Sequence, residues 1–117
     1  MTTITKLDEI NLLLERYKGG DAKIWAFKLT LNRLFLRLSM SMQAEVVYII
    51  AGSCLHINGP FYWENADLTV IVEEKKENSE IMSYVIDKSI GFKLVATGGV
   101  VLAKGTEKEF ADYFAES

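Results

Sequence analysis

The side chains best suited to chemistry are Cys54 and His56, the one cysteine and the one histidine of the chain. They are two apart. On a strand that spacing puts both on one face, roughly 6–7 Å apart. Glu64 or Asp67, arriving from the next corner, could orient the imidazole and complete a nucleophile–base–orienter trio. A bland reading competes and is stronger. A lone buried cysteine behaves as a small hydrophobe, and a histidine beside a turn commonly bridges backbone groups. No catalytic residue is therefore assigned, and Cys54, His56 and Glu64 stand only as candidates. Zinc needs four ligands, or three and a water. One Cys and one His leave the set short, so no metal is expected. No cofactor is expected either. Gly19-Gly20 and Gly98-Gly99 lack the flanking residues of a phosphate-binding loop. Gly105–Lys108 opens a helix, but Glu107 and Glu109 already occupy its first turn.

The corner Asn58–Asp67 (NGPFYWENAD) is the stronger candidate for binding. It gathers Phe61, Tyr62 and Trp63 with Asn65 and Asp67. Aromatic rings offer large contact area at small entropic cost and are favoured in recognition sites. Consecutive aromatics at a corner also serve as core anchors. Alternation turns one or two of the three inward and leaves the others partly exposed.

The elements that must position these residues follow from periodicity. Leu7, Ile10, Leu13, Leu14 and Tyr17 predict an amphipathic helix, with Thr5 as a weak cap and Gly19-Gly20 as its end. Residues 23–40 predict a β-hairpin. Trp25, Phe27, Leu29 and Leu31 alternate, then Leu34, Leu36, Leu38 and Met40 alternate with the other parity. A two-residue turn at Asn32-Arg33 accounts for the change and pairs Leu31 with Leu34; a bulge there is the alternative. Val46–Ile57 is apolar on both parities, as a central strand covered on both sides would be. Gly52-Ser53 marks a bend within it. Phe61–Trp63 follows Pro60 and fits only an edge or irregular segment. Leu68–Glu74, Glu80–Asp87 and Ile90–Thr97 read as strands, with Glu74–Ser79 a solvated turn. Gly98-Gly99 predicts a tight hairpin pairing Thr97 with Val100. Thr106-Glu107-Lys108-Glu109 is a capping box opening a short helix with the stripe Phe110, Tyr113, Phe114.

No crossover is long enough for parallel pairing. The expectation is one α+β domain over residues 1–117: an antiparallel, strongly curved sheet of about six to seven strands, an N-terminal helix packed on it and a short C-terminal helix. A small β-sandwich or barrel with flanking helices is the alternative.

Composition narrows the partners. The chain has 117 residues, half of them apolar, and a net charge of −3. Residues 1–43 hold seven Lys/Arg against four Asp/Glu, a balance of +3, which leaves −6 for the rest. Lys23, Lys28, Arg33 and Arg37 lie near Trp25 and Phe35, the raw material of a single-strand nucleic-acid face. A solvated face explains them more simply, so nucleic acid is not the expected partner. One cysteine permits no internal disulfide and suits a reducing compartment. With no secretory pattern and no span-length apolar run, the expectation is a cytoplasmic protein with no membrane partner. The functional expectation is a non-enzymatic protein acting through protein–protein or self association, a homodimer in the simplest case. More apolar strand surface is present than two helices cover. A small-molecule site or weak enzyme around residues 54–64 is the alternative.

Overall fold

The computed structural model describes residues 1–77 and 79–115. The chain is α+β, with two antiparallel sheets and a helix near each end. Its elements run β1 (Thr2–Ile4), α1 (Leu7–Arg16), β2 (Asp21–Lys28), β3 (Arg33–Ser39), β4 (Glu45–Ala51), β5 (Cys54–Asn58), β6 (Tyr62–Trp63), β7 (Thr69–Lys75), β8 (Glu80–Asp87), β9 (Phe92–Ala96), β10 (Val100–Thr106) and α2 (Glu107–Ala115). The larger sheet has the order β1-β10-β4-β3-β2-β6, the smaller β5-β9-β8-β7.

The two sheets are joined by a pair of long strands that change sheet together. Val46–Ile57 does break at Gly52-Ser53, into β4 and β5. Its partner breaks at the same height, between β9 and β10. β4 pairs β10 in the larger sheet and β5 pairs β9 in the smaller. The ladder continues through the bend. Gly52 N–H donates to the Gly99 carbonyl (2.9 Å), Gly98 N–H to the Gly52 carbonyl (2.9 Å), and Thr97 N–H to the Ser53 carbonyl (3.1 Å). Gly98-Gly99 is therefore not a hairpin turn, and Thr97 does not pair with Val100. The glycines serve close approach instead: a Cβ on Gly98 would lie 2.7 Å from the Gly52 carbonyl carbon.

The β2–β3 hairpin forms, with a different register. Phe27 pairs Leu34 and Lys28 pairs Arg33. The turn is wider than two residues and includes a 3₁₀ turn over Thr30–Asn32, with Leu31 and Asn32 left-handed (φ 59° and 44°). Leu29 and Leu31 leave the strand face and become exposed. The parity change comes partly from a bulge at Trp25, between the Ile24 and Ala26 pairings, and not at Asn32-Arg33.

The main core lies between the sheets. Leu34, Leu36, Leu38, Val47, Ile49 and Leu102 come from the larger sheet, and Val70, Val85, Phe92, Leu94 and Ala96 from the smaller. Ile10, Leu13 and Leu14 of α1, with Tyr17 just after it, complete it. Each such aliphatic side chain contributes roughly 1.5–3 kcal/mol on burial. Thr5 makes no cap, since Lys6 takes the N-cap position without a side-chain bond. The helix is held from its flank instead. Asn11 Nδ2 donates to the Val70 carbonyl (2.9 Å) and its Oδ1 accepts from Val70 N–H (2.8 Å), satisfying one residue of the β7 edge. Tyr17 hydroxyl donates to the Glu45 carbonyl at the start of β4 (2.8 Å). α1 thus closes one open side of the sandwich.

On the outer face of the larger sheet, Phe35 and Tyr48 pack against Phe110, Tyr113 and Phe114, with ring centroids 4.4–6.1 Å apart. The capping box of α2 is made. Thr106 N–H donates to Glu109 Oε1 (3.0 Å), and Glu109 N–H donates to Thr106 Oγ1 (3.3 Å). In the solvated turn before β8, Asn78 lies outside the described residues.

The crossing strands leave no room for a side chain at Gly98. Gly98→Ala is expected to lower the free energy of unfolding by about 1–3 kcal/mol in a urea titration. An unchanged midpoint would mean that the strands do not approach this closely.

Candidate functional site

The side of the sandwich opposite α1 stays open. There β5 ends the smaller sheet, and β2 of the larger sheet is capped only by the two residues of β6. Between them runs an open groove of about 470 Å³. Ile24 and Phe27 of β2 and Leu34 of β3 form one wall, and residues 54–57 of β5 the other. Phe61 covers one end.

Cys54 and His56 thus share the groove. The catalytic trio is not assembled, however. Cys54 Sγ has a long contact (4.0 Å) with the carbonyl oxygen of His56, not with its ring. Burial pushes the thiol pKa up, against a smaller downward pull from backbone hydrogen bonding at His56, so the thiolate is disfavoured. Glu64 lines no part of the groove and accepts a hydrogen bond from the Tyr62 hydroxyl (3.4 Å). A bulge at Leu55, between the Cys54 and His56 pairings, also breaks the simple i, i+2 relation. Among the described residues no group of three His, Cys, Asp or Glu is close enough to hold a metal ion.

The aromatic corner divides by direction. Phe61 is 76% exposed and Tyr62 half exposed, while Trp63 is buried at 6%. Trp63 packs on Phe92 (4.6 Å between centroids), and its indole N–H donates to Asp87 Oδ2 (2.8 Å). Asn65 is exposed and left-handed (φ 56°). It allows the chain to turn so that Ala66 exchanges backbone hydrogen bonds with Gly19 and Gly20 (2.8 and 2.9 Å). Asp67 is exposed; its side chain pairs with Lys18 at 3.7 Å, a contact worth little in water. Of the five proposed binding residues, only Phe61 lines the groove.

Asp87 is the anchor that the sequence reading passed over. Its carboxylate is fully buried. It accepts from Trp63 Nε1, from Asp67 N–H (2.9 Å) and from Ser89 through both N–H and hydroxyl. Burial raises its pKa, and the four hydrogen bonds together outweigh that, leaving it below the ordinary carboxylate range. The available signal was Asp87-Lys88-Ser89, in which an aspartate bonds the backbone two residues on. Sequence reasoning also missed Ile24, Phe27 and Leu34 as groove walls. Their signal was only generic apolarity.

Comparisons with protein-family models, with curated proteins and with solved structures returned no match.

A carboxylate whose pKa is lowered on folding stabilises the native state above its unfolded value, near 3.9, and loses that contribution as pH falls through the folded value. Stability should therefore drop below about pH 4. In Asp87→Asn this acid-dependent part should be absent, and stability at neutral pH should be lower by about 3 kcal/mol, because an amide cannot accept all four bonds. Thermal unfolding of both proteins across pH checks this. Equal stability at neutral pH would remove Asp87 as an anchor.

Proposed function

We propose that the protein is a non-enzymatic, cytoplasmic protein that acts by associating with a second copy of itself through the β5 edge and the groove beside it. The observation that carries this reading is the state of the sheet edges. An exposed edge offers unpaired N–H and C=O groups to any other strand, and monomeric proteins blunt such edges with charge, brevity, a bulge or a covering element. β1 has three residues and β6 two. β7 carries Glu73, Glu74 and Lys75 and is clipped by Asn11. β5, Cys54-Leu55-His56-Ile57-Asn58, has neither an acid nor a lysine, and no described element pairs its outer side. A bulge is its one blunting device, and that bulge turns out Leu55, 63% exposed, and not a charged residue.

Apolar surface continues from this edge. Ile57, Phe27 and Phe61 are exposed around the groove, and Leu29 and Leu31 stand out at the tip of the β2–β3 hairpin. In a two-fold dimer the same patch meets itself, so an uncharged edge needs no complementary partner surface. Pairing β5 with β5 of a second copy would satisfy its free backbone groups and cover Leu55 and Ile57 together. The raised thiol pKa, and Glu64 engaged elsewhere, support association over catalysis at this site. The lone cysteine suits a reducing compartment.

Light scattering at micromolar concentration is expected to give twice the mass of the chain. Leu55→Glu should give the monomer mass with an unchanged circular dichroism spectrum, since the side chain is largely in water. A monomeric wild-type protein at these concentrations would dismiss the reading.

A further inference from the structure

We infer that the outer face of the β2–β3 hairpin binds single-stranded nucleic acid, with Lys23, Lys28 and Arg33 on phosphates and Trp25 stacking on a base. This surface lies on the opposite face of the larger sheet from the main core and does not depend on the β5 edge.

The register carries the inference. Lys23 is paired with Arg37, and Lys28 with Arg33. Like charges directly opposite one another destabilise a strand pair, and here the arrangement occurs twice in one hairpin. Glu107 of α2 pairs with Arg37. Among the described residues Lys23, Lys28 and Arg33 have no ion-pair partner. The Nε atoms of Arg33 and Arg37 are also buried without a hydrogen-bond partner, a further cost of holding two guanidinium groups here. A chain of net charge −3 has thus concentrated unneutralised cations on one hairpin, against the stability of that hairpin.

The aromatic element lies within the same surface. Trp25 occupies the bulge, is 40% exposed, and has Lys23 Nζ 5.8 Å and the Arg37 guanidinium 4.7 Å from its ring. Lys28 Nζ sits 4.6 Å from the Tyr113 ring and 5.2 Å from Phe35. α2 covers Phe35, and Phe114 and Tyr48 also meet the Trp25 ring (6.3 and 6.1 Å between centroids), so stacking falls to the exposed part of Trp25. Arg33 and Lys23, the latter opposite Arg37 and so four residues along β3, set a reach of about 13 Å, which suits an extended strand crossing the hairpin. Cations along a backbone path beside a part-exposed indole are the recognition chemistry of single strands, and every base offers a π-face to such a ring. An acidic peptide would use the cations and leave Trp25 without a role.

The test uses the full chain, a fluorescein-labelled DNA oligonucleotide of about 16 nucleotides and labelled polyglutamate. Oligonucleotide binding should weaken between about 50 and 200 mM salt with a log–log slope near −2, for three phosphate contacts on a single strand. It should quench the fluorescence of Trp25, the more exposed of the two tryptophans. Polyglutamate should bind at least about tenfold more weakly, the stacking contribution being absent. Lys23→Glu with Lys28→Glu should weaken oligonucleotide binding at least about tenfold, with an unchanged circular dichroism spectrum. If that variant does not fold, Lys23→Gln alone should lower affinity several-fold. Absence of binding at the lower salt, equal affinity for polyglutamate, or binding indifferent to these substitutions would each overturn the inference.

Discussion

Two backbones touch where the long strands change sheets, and the rest of the fold depends on that contact. Gly52 and Gly98 face each other with no space for a Cβ on Gly98. Because the hydrogen-bond ladder runs on through the bend, β4–β5 and β9–β10 turn as one ribbon. That shared turn stacks the smaller sheet on the larger and so creates the core between them. It also makes two open sides. α1 fills one. The other holds β5, Phe27 and Phe61, and every feature of the candidate groove follows from its being left open.

Buried polar groups set the ends of the structure, where apolar packing alone is indifferent to register. Asn11 fixes α1 to β7 through both its donor and its acceptor. Asp87 ties Trp63, Asp67 and Ser89 to the end of β8. A buried carboxylate is tolerated only when its oxygens are fully engaged, and here they are. The consequence reaches the surface. With Trp63 and Ala66 pinned, Phe61 and Tyr62 have no inward place left and are presented to solvent.

The two outward surfaces differ in physical character. The β5 edge is apolar and uncharged, suited to a surface like itself. The outer face of the hairpin is cationic and aromatic, suited to an anion with flat groups. A destabilising cross-strand arrangement of charge and an uncharged, apolar sheet edge are both departures from what stability alone would select. They are the two places where the chain departs furthest from its own folding rules.

Much of the fold was legible from local pattern. The helical spacing of Leu7–Tyr17, the capping box at Thr106–Glu109 and the break at Gly52-Ser53 each record a constraint that acts within a few residues; the two-sided apolarity of Val46–Ile57 marks a covered central strand only as far as Ala51, since β5 is an exposed edge. The α+β class and antiparallel pairing follow from these and from the short connections. Tertiary structure decided what depends on distant neighbours. Gly98-Gly99 has the composition of a hairpin turn, and only the presence of Gly52 across the ladder makes it a bend. The Trp25 bulge and the wide Leu29–Asn32 turn shift the hairpin register because Phe35 must meet α2 and Leu34 the inner core. Periodicity sees one strand at a time, and register is a property of two. The site divides the same way. Sequence alone placed Cys54, His56 and Phe61 within one short stretch. Only the packed sheets could show that Ile24, Phe27 and Leu34 stand opposite them, that Trp63 turns inward to Asp87, and that β5 is the edge left without charge or cover.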